Sequence, residues 1–195
     1  MLFSFNVMPT LPPKNYIHAV PFPREIILQP IGVVHSPYRE RHGTPRQSHL
    51  TAAPEDYRPV EAHIEFFAEI IPPVALQDID GFEHVWLISY LHLNKHWNPT
   101  VRLPRGPRTR HGTLATRAPH RPNPIGLSAA KVVRLDGLRL TVEGIDLLDG
   151  TPILDIKPYV PYCDAFPSSR AGYVDAMEDQ GIHEPDIEGK NSRRL

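Results

Sequence analysis

Along this chain apolar and polar residues alternate in short runs, and the runs predict strands in preference to helices. Glu25–Ser36 is β-branched and apolar with an interruption at Pro30, Ala62–Ile70 reads AHIEFFAEI, and His84–Leu93 reads HVWLISYLHL, a strand expected to be buried. Leu127–Leu135 and Leu138–Ile145 flank Asp136-Gly137, a two-residue hairpin signal. Ile153–Lys157 is another short strand candidate. One helix is expected, over Pro73–Ile79, where a proline sits in the first turn and Gly81 follows the end. Short strands at close spacing point to an all-β fold, an antiparallel barrel or sandwich, with short helical segments and irregular loops.

Composition sharpens this picture. The 23 prolines are spread through the chain, and each fixes φ and removes a backbone donor, which disfavours long helices and long central strands. Residues 1–23 carry Pro9, Pro12, Pro13, Pro21 and Pro23 with little periodicity and read as an extended arm. Residues 24–175 form the one expected domain, and 176–195 a polar tail. No apolar run approaches the ~20 residues that span a bilayer, and the N-terminus does not resemble a secretory signal. A lone Cys163 excludes an internal disulfide and a cysteine-rich zinc site; it is expected to be a buried structural thiol, and a reducing, cytoplasmic setting fits it best.

Charge is segregated. Between His84 and Leu135 stand Lys95, Arg102, Arg105, Arg108, Arg110, Arg117, Arg121, Lys131 and Arg134 without one Asp or Glu, although the formal net charge of the whole chain is −1. Such a stretch can lay down a positive face for a polyanion, or its arginines can pair with acids from elsewhere in the fold.

Several familiar sites are missing. Neither GxGxxG nor GxxxxGK[ST] occurs, so no Rossmann cradle or P-loop is available. His92 and His96 are four apart, but their strand-like surroundings do not suit a helical metal pair, and no metal is expected. The informative segment is Arg110–Gly126, RHGTLATRAPHRPNPIG, in which Arg121-Pro122-Asn123-Pro124 forces a rigid, extended loop. A loop of this kind can hold Arg and Asn ready for a carboxylate, a phosphate or a nucleobase edge. It can equally be a proline-shaped turn with solvated arginines.

Six segments taken in order carry a resemblance: PIGVVHSPY (Pro30–Tyr38), PRQ (Pro45–Gln47), DGFEHVWLI (Asp80–Ile88), NPTVRLPR (Asn98–Arg105), HGTLATRAPHRPNPIGLS (His111–Ser128) and DLLDGTPILDIKPYVPY (Asp146–Tyr162). Together they resemble the TsaA (TrmO) family of tRNA adenine N6-methyltransferases, from about Ile31 to Tyr173. The resemblance implies a small antiparallel β-barrel, a homodimer, and S-adenosylmethionine bound near the subunit interface. It also implies methylation of N6 of threonylcarbamoyladenosine beside the anticodon of threonine tRNA. Family positions for the cofactor fall on Arg46, Gln47, His92, Leu93, Asn94, Arg117, Leu127, Gly144, Ile145 and Asp146.

Physical roles follow for these positions. Arg46 or Arg117 can hold the cofactor carboxylate, Asp146 can accept from its ribose hydroxyls or amino group, Leu127 can pack on adenine, and Gly144 admits a close backbone approach. The competing role for Asp146 and Asp149 is a turn, since DLLDGTP is also a turn sequence. Asn123 is the candidate catalytic residue, as an acceptor that polarises the N–H of the exocyclic amine; Asp155 and Tyr159 are alternatives for orienting the substrate. Arg102, Arg105, Arg108, Arg110 and Arg121 are the expected RNA contacts, directed at the anticodon loop. Two other functions stay open: an S-adenosylmethionine-binding protein without catalysis, and a methyltransferase for a different acceptor. Longer family members carry an additional C-terminal domain, which bears on the choice of tRNA.

Overall fold

The computed structural model describes residues 24–40, 44, 60–103 and 107–179. The arm at 1–23, Arg46, Gln47, Arg105 and the tail from 180 onward lie outside the described residues. Among the described residues there are eight strands: β1 (Gly32–His35), β2 (Glu61–Phe66), β3 (His84–Tyr90), β4 (Thr100–Arg102), β5 (Arg110–Gly112), β6 (Ile125–Asp136), β7 (Arg139–Glu143) and β8 (Pro152–Pro158). Two short helices follow, α1 (Pro161–Asp164) and α2 (Tyr173–Asp179).

Six strands close into a barrel in the order β1-β2-β7-β6-β3-β8, while β4 and β5 form a separate two-stranded ribbon. Every pairing in the barrel is antiparallel. The all-β barrel anticipated from the sequence is therefore the observed architecture. Closure disposes of exposed strand edges, which a short-stranded, proline-rich chain would otherwise leave unpaired.

The pleat decides what the barrel encloses. On β3, Val85, Leu87 and Ser89 are buried and point inward, while Trp86 and Ile88 between them are only half-buried. The HVWLISYLHL run is thus covered on one face, because its outer residues meet the short α1 region and not a second sheet; the Trp86 indole donates to Asp164 there at 3.2 Å. Val34, Ile64, Leu140, Val142 and Ile153 complete the interior, each with no exposed surface. Burying a side chain of this size is worth about 1.5–3 kcal/mol.

Three sequence expectations are corrected in detail. Pro73–Ile79 is two 3₁₀ turns, Pro73–Leu76 and Ile79–Gly81, interrupted where Asp78 takes φ 66°; a left-handed residue cannot continue a helix. The β6–β7 turn is centred on Gly137-Leu138, one residue later than expected, since Asp136 pairs with Arg139 and Gly137 carries φ 60°. Cys163 is exposed, with its thiol donating to the Val160 carbonyl at 3.4 Å, because α1 is a single turn on the barrel surface and has no core to enter.

Candidate functional site

One end of the barrel gathers most of the residues that the sequence singled out. There the last residue of β3, Tyr90, pairs with the first of β6, Ile125. Beyond Tyr90 the chain turns: the Leu91 amide donates to Pro124 at 2.7 Å, and the Asn94 amide and carboxamide both donate to the Leu91 carbonyl, at 3.0 and 3.2 Å. His92 and Leu93 are the exposed residues of that turn. Leu127 is exposed on the outside of β6, and Ile145 is buried in the core just past the end of β7.

Gly144 sits between β7 and Ile145 at φ 72°, a conformation costly to any residue with a Cβ. This sharp change of direction carries Asp146 back across the barrel end, where its carboxylate accepts a hydrogen bond from Ser128 Oγ at 2.6 Å. Burial raises the Asp146 pKa above the ordinary aspartate value. The Ser128 hydrogen bond, the residue's own backbone N–H and the Arg117 charge pull in the opposite direction but do not cancel the effect. Asp146 and Ser128 therefore form a hydrogen-bonded unit, a desolvated carboxylate and a fixed hydroxyl donor, on which the Arg117 charge acts favourably.

Ser128 was not singled out from the sequence, yet a signal existed. Period-two alternation on β6 puts Ser128 and Ala130 inward, and a serine at an inward position of a small barrel is a buried polar group that needs a partner. The same reasoning finds Ser89, fully buried and opposite Gly126 in the β3–β6 register. Its hydroxyl has no hydrogen-bond partner among the described residues. A Cβ at position 126 would overlap Ser89 Oγ, so Gly126 is required to let this hydroxyl face the interior.

The arginine-rich segment folds as a ribbon with a fastened loop. Arg102 and Arg110 face each other across β4–β5, and Arg110 donates from Nε to Thr100 Oγ1 and from Nη2 to the Thr100 carbonyl, both at 2.9 Å. Arg102 and Arg108 are exposed. Arg121 differs: it is half-buried and donates to the carbonyls of Thr116 at 2.6 Å and Thr113 at 3.3 Å, which makes it a fastener of its own loop. Asn123 stands exposed between two prolines; its carbonyl accepts from the Ile125 amide at 2.7 Å, and its carboxamide makes no hydrogen bond among the described residues. From the other side α2 clamps the ribbon, with the Tyr173 ring 4.0 Å from that of His111 and its hydroxyl donating to the Ala115 carbonyl at 3.0 Å.

Of the two alternatives, Tyr159 does not join this cluster, whereas Asp155 lies beside it, across from Ile88, which pairs on its other side with Leu127. Tyr159 packs on Trp86 and His84 at the start of β3, the far end of the strand from Tyr90. Asp155 is engaged by Lys157 Nζ at 2.7 Å.

The molecule is thus a small closed barrel with a polar, partly desolvated end, flanked by a basic ribbon and unrelated in plan to a doubly wound nucleotide-binding sheet. The chain belongs to the tRNA-methyltransferase O N-terminal domain family, which it matches over residues 33–165. It is 40% identical over 153 residues to a probable S-adenosyl-L-methionine-binding protein of Pyrococcus abyssi, covering 78% of each chain. It is 36% identical over 151 residues to the tRNA (adenine(37)-N6)-methyltransferase of Escherichia coli, covering 74% of this chain and 62% of that one. The crystal structure of TrmO from Pseudomonas aeruginosa superposes with a TM-score of 0.61 at 38% identity, over 77% of this chain and 63% of that one. The chain accordingly spans less than two thirds of the length of these bacterial methyltransferases. No helix among the described residues is long and apolar enough to cross a membrane.

Proposed function

We propose that this chain is an S-adenosylmethionine-dependent methyltransferase acting on N6 of adenine 37 in tRNA, the activity named for its E. coli relative. The nucleoside is threonylcarbamoyladenosine, in threonine tRNA, in a cytoplasmic setting. The observation that carries the reading is the Asp146–Ser128 unit at the barrel end, on which the Arg117 charge acts.

That unit suits S-adenosylmethionine, which presents a carboxylate, an ammonium group, a ribose diol and a sulfonium cation. Arg117 offers the cofactor carboxylate a partner, and the Asp146 carboxylate, desolvated and held by Ser128, offers one to the ammonium or the diol. Gly144 keeps the backbone free of a side chain beside them. When bound, the cofactor supplies an electrophilic methyl group. The protein's task is then to align the acceptor nitrogen and exclude water. Asn123 is the residue for the acceptor amine: its carboxamide is presented on a loop stiffened by Pro122, Pro124 and Arg121, so its oxygen can accept from the N–H and sharpen the nitrogen as a nucleophile.

The basic ribbon borders this end. Arg102, Arg108 and Arg110 face solvent and supply phosphate contacts for the anticodon loop, with an affinity that falls steeply as salt rises. Tyr90, Leu93, Trp97, Ile125 and Leu127 form an exposed apolar group along the β3–β6 margin, 41–62% exposed. A homodimer contact there would cover them and bring the partner copy beside the cofactor end.

Methylation of bulk tRNA, with and without the chain, followed by nucleoside mass spectrometry, tests the reading. The expected product is N6-methylated threonylcarbamoyladenosine. No methylated nucleoside despite cofactor binding in titration calorimetry would favour the second reading, a binding protein without catalysis, which the match over 78% of the Pyrococcus protein supports. Methylation of another nucleoside would support a different acceptor.

A further inference from the structure

On the outer face of the barrel, away from the β3–β6 margin, three metal-ligating side chains converge. His35 on β1 and His63 on β2 are direct cross-strand partners, and Glu65 lies two residues beyond His63, on the same face by the pleat. The histidine rings are 4.8 Å apart, His35 Nε2 lies 3.3 Å from Glu65 Oε2, and the donor atoms of all three residues fall within 4.8 Å of one another. This is the one such group of histidine, cysteine or acidic residues among the described residues; His92 and His96 do not form one. Asp149 Oδ1 lies 3.7 Å from the other ring nitrogen of His35, Nδ1, and accepts from the Ser36 amide at 3.2 Å, so it is placed to orient the ring while Nε2 faces the cluster.

We propose that His35, His63 and Glu65 form a binding site for a borderline transition-metal dication of the zinc type, with Asp149 orienting the His35 ring. Two imidazoles and one carboxylate are a donor set for zinc, and not the all-oxygen set that magnesium or calcium selects. Tetrahedral bonds of ~2.0–2.2 Å place donors ~3.3 Å apart, so the side chains close in by rotation while the paired strands keep their register. Arg139, paired across from Glu65 on β7, is the opposing cation and moderates the affinity. An ion here would clamp β1 to β2, and through the contact of His35 with Asp149 it would bear on the Leu147–Gly150 turn, which continues directly from Asp146. The site stands independently of the proposed activity.

The test is calorimetric titration of the metal-stripped full chain with zinc chloride, together with visible absorption after addition of cobalt(II). One ion per chain at this site is expected, with a cobalt spectrum of low coordination number and a thermal midpoint that climbs with zinc concentration. His63→Asn and Glu65→Gln should each weaken uptake by ~10-fold or more, while His96→Ala leaves it unchanged. Circular dichroism checks that His63→Asn still folds; if it does not, Glu65→Gln decides, since Glu65 is exposed and its loss leaves the core intact. Absence of saturable uptake, or uptake equal in wild type and Glu65→Gln, overturns the proposal.

Discussion

At the scale of single residues, Asp146 couples binding to stability in a way that can be measured. Its carboxyl holds a proton more firmly in the folded chain than in the unfolded one, so the contribution from this group is present at low pH and lost as pH rises through the elevated folded value. At neutral pH the ionised, desolvated group is a net burden. Asp146→Asn should therefore melt at a higher temperature than wild type at pH 7, with a smaller difference near pH 4. The same substitution should weaken S-adenosylmethionine binding by ~10-fold or more, because it removes a charge-assisted partner. Calorimetry on both proteins at the two pH values decides; a lower melting temperature for the variant at pH 7 would show that the carboxylate is compensated in solution.

Among elements, the β6–β7 hairpin is the part most legible beforehand and still displaced by one residue. Asp136-Gly137 announced the turn correctly, but Gly137 is its first central residue and not its second, because the outward and inward sets of β6 and β7 match only with Asp136 paired to Arg139. A Cβ at Gly137 would meet nothing within 4 Å, so the cost of Gly137→Ala is purely that of a positive φ, roughly 1 kcal/mol, with Gly137→Asn costing less. Urea denaturation should return that order. The Pro73–Ile79 segment shows the opposite limit: its apolar spacing suits a helix, but the reversal at Asp78 is a backbone preference that periodicity does not encode. Likewise, β4 and β5 span three residues each, too short to leave a pattern, and were read only as a run of arginines.

For the whole molecule, strand alternation conveys the all-β class, while the candidate cofactor end is marked by family motifs and its chemistry by closure. Ser128 and Asp146 are 18 residues apart in the chain, and their meeting depends on which strands become neighbours. Arg121 shows the converse: as one of several arginines it looked like an RNA contact, and only the folded loop reveals how much of its donor capacity is turned inward. The proposed second copy is likewise a property of the assembled surface. Ile125→Asp, on the exposed side of β6, should shift the chain from dimer to monomer in sedimentation equilibrium without lowering its melting temperature by more than a few degrees; a dimer of unchanged strength would move the contact elsewhere. The barrel, finally, has one thin seam. β1 pairs with β2 at four positions but with β8 at only two, Gly32 with Ile153 and Val33 with Pro152, and further bonds from Ile31 to Ile153, from Val34 to Thr151 and from Gly150 back to Val34 extend the closure. Contacts that join the ends of a domain form late and open early, so the cylinder should breathe along this line. In native-state hydrogen exchange the amides of Ile31 and Val34 should exchange by sub-global opening well before those of Leu87 or Ala130, whose neighbours are paired along the length of β3 and β6. A molecule built to have no strand edge would then expose one briefly, at β1, as part of its ordinary motion.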